Sequence, residues 1–251
     1  MLSKEEFSGR ARACLTALAT DMAARSAFDT RYCSFATALR EVKTDRIQRG
    51  PYPKLEHPTL SLLDGALGAM PRSPLAVSAG AAAQVLDWIP VFEGGGIDPI
   101  LAEGMLAAQI AGSYGCFAST EMAAGLFLLA PGVHYPLHTH AAAEVYACLS
   151  GTLWITHGLD AAPFPLRPGE VSLTPPHRLH ALETRAEPAL LAYIWTGEVI
   201  CTNWWWSQGQ DGAWQRTAWR REPGEPWRPV RSEAVSPAAM AEAMPEREEV
   251  P

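Results

Sequence analysis

The stretch that decides how this chain is read is Gly132-Val133-His134-Tyr135-Pro136-Leu137-His138-Thr139-His140-Ala141-Ala142-Ala143-Glu144-Val145-Tyr146. Two histidines stand one residue apart and a glutamate lies four residues beyond them. On extended backbone successive side chains alternate faces, so His138 and His140 share one face and, after a turn, Glu144 and Tyr146 share another. Two imidazoles, a carboxylate and a phenol are costly inside a protein, at about 1–3 kcal/mol for each group left unpaired. A bound cation removes that penalty, so this segment is read as the core of a metal site.

Working outward, the chain from about residue 114 consists of short apolar runs bounded by Gly and Pro: Gly125–Ala130, Glu144–Leu149, Thr152–His157, Glu170–Thr174, His180–Thr184 and Ala189–Thr196. Runs of this length and spacing predict an antiparallel barrel or sandwich over 114–206. The preceding region, 1–113, reads as helical. Ser3-Lys4-Glu5-Glu6 is a capping-box pattern, alanine-rich sequence follows to about Arg49, and Gly50-Pro51-Tyr52-Pro53 breaks it. Shorter helices are predicted around Thr59–Met70, Leu75–Trp88 and Ile100–Ile110, separated by prolines and by Gly94-Gly95-Gly96. This region is expected to pack on the barrel, over its mouth or as a dimer interface. The extension 207–251 is rich in Pro, Glu and Arg, and its last 25 or so residues carry too little apolar content to predict order.

Composition narrows the function. A formal net charge of -7 without a block of Lys or Arg offers no electrostatic footprint for nucleic acid or an anionic membrane surface. The five cysteines are odd in number and widely spaced, which fits neither a disulfide framework nor a thiolate zinc site. There is no signal-peptide pattern and no uninterrupted apolar run of about 18 residues. The expectation is a soluble, cytoplasmic protein.

The quoted segment matches the first motif of the cupin superfamily: Gly132, five residues, His138-x-His140, three residues, Glu144, six residues, Gly151. The second cupin motif resembles Gly169, Pro175, His177 and His180, with His177 where a turn glycine is usual and Thr184 where an asparagine is usual. The resemblance implies a double-stranded β-helix (jelly-roll) barrel, mainly β with an α extension, and adds His180 to His138, His140 and Glu144 as ligands. Such a set leaves positions open on one divalent ion and suits Fe, Mn, Zn, Co or Ni alike. Of the other histidines, His57 and His157 read as surface or structural, and His134 and His177 as neighbours of the site.

Tyr135-Pro136-Leu137-His138-x-His140-x-x-x-Glu144-x-Tyr146 further resembles the cupin-type dimethylsulfoniopropionate lyases, which cleave that sulfonium zwitterion to dimethyl sulfide and acrylate. The resemblance covers about Ala123 to Thr196, and longer members of the group also carry a helical N-terminal region. It implies Tyr146 as the catalytic base and Tyr135 as a residue in contact with substrate. The chemistry agrees: β-elimination removes a proton α to a carboxylate, a metal with open positions neutralises that carboxylate, and a nearby dication favours phenolate.

A sulfonium has no hydrogen-bond donor and is best met by aromatic faces. Tyr193 and Trp195, in phase on one predicted strand, are the candidates, ahead of Trp154. The triplet Trp204-Trp205-Trp206 reads as packing between barrel and helical region. The expected partners are a small zwitterionic substrate and a second copy in a homodimer, with no nucleic acid or membrane. Competing readings of the same residues are a lyase or isomerase on another β-substituted carboxylate, an Fe(II) dioxygenase, and a non-catalytic small-molecule-binding cupin.

Overall fold

The computed structural model describes residues 3–48, 50, 55–93, 96–221 and 227–244. Pro51, Tyr52, Pro53, Gly94 and Gly95, read above as helix breakers, lie outside the described residues, as do the last seven residues.

Two antiparallel sheets form the molecule. The first has the order β1 (Ile89–Pro90), β2 (Met105–Ala111), β3 (Met122–Leu129), β10 (Ala189–Thr196), β5 (Ala143–Ser150) and β8 (Val171–Thr174). The second runs β13 (Arg228–Ala234), β12 (Trp214–Arg220), β11 (Asn203–Gln208), β4 (His134–Thr139), β9 (His180–Glu183), β6 (Leu153–His157) and β7 (Phe164–Leu166). All six strands expected over 114–206 are present.

The central strands of the first sheet are apolar at nearly every position because both of their faces are covered. Alternate residues Leu126 and Leu128, Val145 and Ala147, and Leu190, Ala192 and Ile194 face the helical layer. Their neighbours Phe127, Leu129, Tyr146, Cys148, Leu191 and Tyr193 point into the barrel. The helical region therefore lies on the outer face of this sheet, with α1 (Lys4–Arg25) packed against α2 (Tyr32–Glu41) and α4 (Pro74–Ala83), the short α3 (Leu63–Gly68) preceding α4 in the chain. Ser3 caps α1, its hydroxyl accepting from the Glu6 amide at 3.1 Å.

Several boundaries differ from the sequence expectation. The first helical stretch does not run unbroken toward Arg49: it divides at 26–31, where Asp29 takes the Arg31 amide (2.9 Å) and side chain into a local turn. The helix expected over Ile100–Ile110 is the short α5 (Pro99–Gly104), after which the chain enters β2. Leu106, Ala108 and Ile110 face the helices while Met105 and Ala107 face the barrel. A short apolar run of this kind carries no period that separates strand from helix. The first sheet thus already includes β1 and β2, before residue 114.

The C-terminal extension is also more ordered than its composition predicts. β12 and β13 prolong the second sheet and α6 (Pro237–Ala243) closes over its outer face. Ladder hydrogen bonds, the Arg216–Glu233 ion pair (2.6 Å) and the guanidinium of Arg216 over the Trp204 ring (4.2 Å) take the place of a large apolar core there. Of the tryptophan triplet, Trp205 meets the N-terminal region, its ring 5.3 Å from that of Phe92. Trp204 and Trp206 lie beneath α6, and Trp205 faces the barrel interior.

Candidate metal and substrate site

His138 on β4 is the cross-strand partner of His180 on β9, and Glu144 on β5 is the partner of Trp195 on β10 and of Thr174 on β8. The fold therefore brings the four sequence-predicted ligand residues together from three strands and the β4–β5 turn. All four are buried. One donor atom from each of His138, His140 and His180 lies within 4.8 Å of the others, a cluster able to hold a metal ion. Glu144 Oε2 stands 3.2 Å from His180 Nε2 and 3.5 Å from His140 Nε2.

Each imidazole is oriented by a carbonyl two residues away. His138 Nδ1 donates to Pro136 O (2.7 Å), His140 Nδ1 to Ala142 O (3.0 Å) and His180 Nδ1 to Arg178 O (2.8 Å). A carbonyl only accepts, so Nδ1 carries the proton and Nε2 presents a lone pair, the tautomer that a metal ligand needs. His140 Nε2, His180 Nε2 and Glu144 Oε2 are buried with no hydrogen-bond partner. Three acceptors facing one another at these distances repel unless a cation lies among them, so this donor set fits a divalent metal. Burial opposes ionisation of Glu144, but the adjoining imidazoles of His140 and His180 outweigh it and hold the carboxyl well below its ordinary range. Burial, followed by the neighbouring imidazoles of His180 and His140, holds His138 well below the usual imidazole range.

Pro136 contributes to this geometry. It has no amide to give to the ladder, and the β4–β9 register shifts between Tyr135 and His138. Strict alternation would send residues three apart to opposite faces; the irregularity turns both inward, and their rings stack at 3.8 Å. The Tyr135 hydroxyl accepts from Asn203 Nδ2.

Tyr146 is buried, two residues along β5 from Glu144 on the same inward face, with Tyr193 as its cross-strand partner. Burial, then the Glu144 charge, pushes this phenol well above its ordinary value. Tyr193 stacks on Phe127 at 4.1 Å and its hydroxyl accepts from Gln109 at 3.3 Å. Trp195 is tied to the ligand cluster itself. Its indole stacks on His140 at 4.2 Å and its Nε1–H donates to Glu144 Oε1. Trp154 is remote, covered on the surface by Arg185.

Sequence reading missed three neighbours. His157 is the cross-strand partner of His180 and bonds Thr174 Oγ1 at 3.2 Å, joining the two sheets beside the cluster. Its strand-end position gave no sign of this. Burial lowers its pKa to about 4. Asn203 is the third, in a stretch with no local signature. A cleft of about 480 Å³, lined in part by Tyr114, Trp195, Asn203, Arg220 and Trp227, reaches the indole that holds Glu144 and the amide that holds Tyr135.

The two departures from the cupin motifs have structural explanations. His177 occupies the left-handed conformation (φ 61°) that favours glycine, and its amide donates to His140 O at 2.8 Å. Thr184 donates to Ala130 O and accepts from the Val133 amide (3.0 Å), tying the end of β9 to the β3–β4 turn.

A two-sheet antiparallel barrel with inward histidines on neighbouring strands defines a cupin. Within that class, residues 34–191 match the dimethylsulfoniopropionate (DMSP) lyase family, and the chain belongs to it. A curated relative, dimethylsulfoniopropionate lyase DddQ of Ruegeria pomeroyi, is 29% identical over 124 residues, which are 49% of this chain and 59% of the relative. The match thus spans less than two thirds of that relative's length. The crystal structure of DMSP lyase DddQ from Ruegeria pomeroyi aligns with a TM-score of 0.56 at 22% identity, covering 74% of this chain and 92% of that one. A structure described with the DMSP lyases RdDddP and RnDddQII aligns with a TM-score of 0.56 at 23% identity, covering 74% and 94%. At these identities the structural likeness establishes the fold.

Proposed function

We propose that this protein is a metal-dependent carbon–sulfur lyase that cleaves dimethylsulfoniopropionate to dimethyl sulfide and acrylate. The observation that carries the reading is a buried phenol, Tyr146, two residues along β5 from Glu144 on the same inward face, beside three histidines whose lone pairs converge. Membership in the DMSP lyase family supports the substrate.

His138, His140, Glu144 and His180 would hold one divalent transition metal ion, Fe, Mn, Zn, Co or Ni. When bound, the ion supplies Lewis acidity to the substrate carboxylate and a positive field that favours the phenolate of Tyr146. Tyr146 then takes the proton from the carbon α to the carboxylate. The electron pair of that C–H bond becomes the new C=C bond, and the C–S bond breaks with its electrons on sulfur, so the sulfonium leaves as neutral dimethyl sulfide. The remaining fragment is acrylate, and one proton is released when the phenol deprotonates again. No external oxidant or reductant enters this balance.

Tyr135, stacked on His138, would contact the carboxylate of the substrate. Tyr193, Trp195 and Trp205 line the interior with aromatic surface, which suits a sulfonium cation at about 0.5–2 kcal/mol per face. Trp195 has a second role here, holding Glu144 through its N–H.

The test is to load the protein separately with each of the five metals, incubate it with dimethylsulfoniopropionate, and measure dimethyl sulfide in the headspace. Product from at least one form, with acrylate in equal amount, is the expected result; no product from any form would overturn the substrate assignment.

A further inference from the structure

Asn203 and Trp205 lie on β11 beyond residue 191, where the family match ends. Two residues apart on one strand, they share the face turned into the barrel. Asn203 is 4% exposed and gives Nδ2–H to the Tyr135 oxygen, while its Oδ1 is buried without a partner. The Trp205 indole packs edge-on against the Tyr135 ring, with centroids 5.7 Å apart, and its N–H is likewise buried and unpartnered.

The Asn203 donor on this phenol oxygen has a definite consequence. A phenol oxygen whose lone pairs face donors must turn its own proton elsewhere, and donation to that oxygen makes the O–H a stronger donor. His138, stacked on the ring face, fixes the plane in which that proton can lie. Asn203 also lines the cleft of about 480 Å³, which gives a ligand access to this pair.

We propose that Asn203, seconded by Trp205, is a positioning residue that commits Tyr135 to donate a hydrogen bond to the carboxylate of the substrate. The two tyrosines thereby have opposite duties: Tyr135 is held as a donor and Tyr146, beside Glu144, serves as base. This rests on the reading of Tyr135 as the residue that meets a carboxylate.

The experiment compares the wild type with Asn203→Leu, Asn203→Ser, Trp205→Phe and Tyr135→Phe, and with the double variant Asn203→Leu/Tyr135→Phe. Metal-loaded protein is titrated with acrylate calorimetrically, and KM and kcat for dimethylsulfoniopropionate are measured alongside. Asn203→Leu is expected to weaken acrylate binding and raise KM about tenfold, with kcat within about threefold and metal affinity unchanged. Asn203→Ser, which keeps a short donor, is expected to fall between. Trp205→Phe, which keeps the ring and deletes the N–H, is expected to lose about two- to threefold.

On a Tyr135→Phe background Asn203→Leu should add nothing, a coupling that a merely structural residue would not display. If Asn203→Leu does not fold, Asn203→Ser and Trp205→Phe carry the same comparison. Wild-type acrylate affinity in these variants, an equal loss on the Tyr135→Phe background, or no acrylate binding by the wild type would each overturn the proposal. A protein that releases no dimethyl sulfide, yet loses acrylate binding in Asn203→Leu but not further in the double variant, would refute the assigned substrate and leave this inference standing.

Discussion

Trp195 gives its indole N–H to Glu144, the residue directly opposite it across the β5–β10 ladder, while its ring lies against His140. One side chain thus restrains two of the proposed ligands from opposite sides. Partners of this kind set ligand orientation and basicity, and losing one costs about 10–100-fold in metal affinity. Trp195→Phe keeps the stack and deletes the donor, so its affinity for Zn or Mn, measured by competition with a chelator, should fall by about that factor. Unchanged affinity would remove Trp195 from this role.

His180 has a different standing from Trp195 because its lone pair itself faces the cluster. His180→Ala should retain almost no metal after dialysis, read by elemental analysis. It should also lose the stabilisation that metal gives the wild type, about 2.7 kcal/mol at a free metal concentration 100 times Kd. A His180→Ala protein stabilised by metal as much as the wild type would contradict the ligand assignment.

The buried imidazoles also make stability depend on pH. His138 is held well below the usual imidazole range and His157 at about 4, whereas both titrate near 6.5 in the unfolded chain. As pH falls through about 6.5 the unfolded chain takes up protons that the folded one refuses. Stability is therefore full above that pH and declines toward pH 4, at up to about 1.4 kcal/mol per pH unit for each excess proton. Urea unfolding with EDTA present should show this decline, and His157→Gln should reduce its slope. Equal slopes in the two proteins would contradict the assignment to His157.

Gly151 closes the first motif for a backbone reason. Its φ is 70°, and a Cβ there would lie 1.9 Å from the Pro188 carbonyl oxygen. Gly151→Ala should lose about 2–4 kcal/mol in urea denaturation. His177→Gly should differ from the wild type by less than about 1 kcal/mol, since glycine relieves the left-handed strain but adds unfolded-state entropy. A tolerated Gly151→Ala would show that the β5–β6 turn can move away from Pro188.

These contrasts also mark what the sequence could disclose. The spacing of His138, His140, Glu144 and Gly151 is local, so the motif and its strand–turn–strand geometry were legible at once, and β3, β5 and β10 announced themselves as apolar runs between Gly and Pro. β2 did not, because its alanine-containing run Met105–Ala111 fits a helix as well as a strand. β12, β13 and α6 were obscured because ladder hydrogen bonds and arginine–aromatic contacts, rather than apolar content, hold them. His157, Thr174 and Asn203 reach the site only through cross-strand register, a relation between distant segments that no local pattern records. Trp195 was recognised as facing inward, but its hydrogen bond to Glu144 depends on that same register.

The division of labour between cluster and base is tested most directly by dimethyl sulfide release from the wild type and Tyr146→Phe at equal metal content. The wild type should convert dimethylsulfoniopropionate to dimethyl sulfide and acrylate in equal amounts. Tyr146→Phe should keep its metal and lose about 10²–10⁴-fold in kcat, the range expected for a general base. Near-normal release by Tyr146→Phe would contradict Tyr146 as the base, and no release by any metal form of the wild type would contradict the lyase itself.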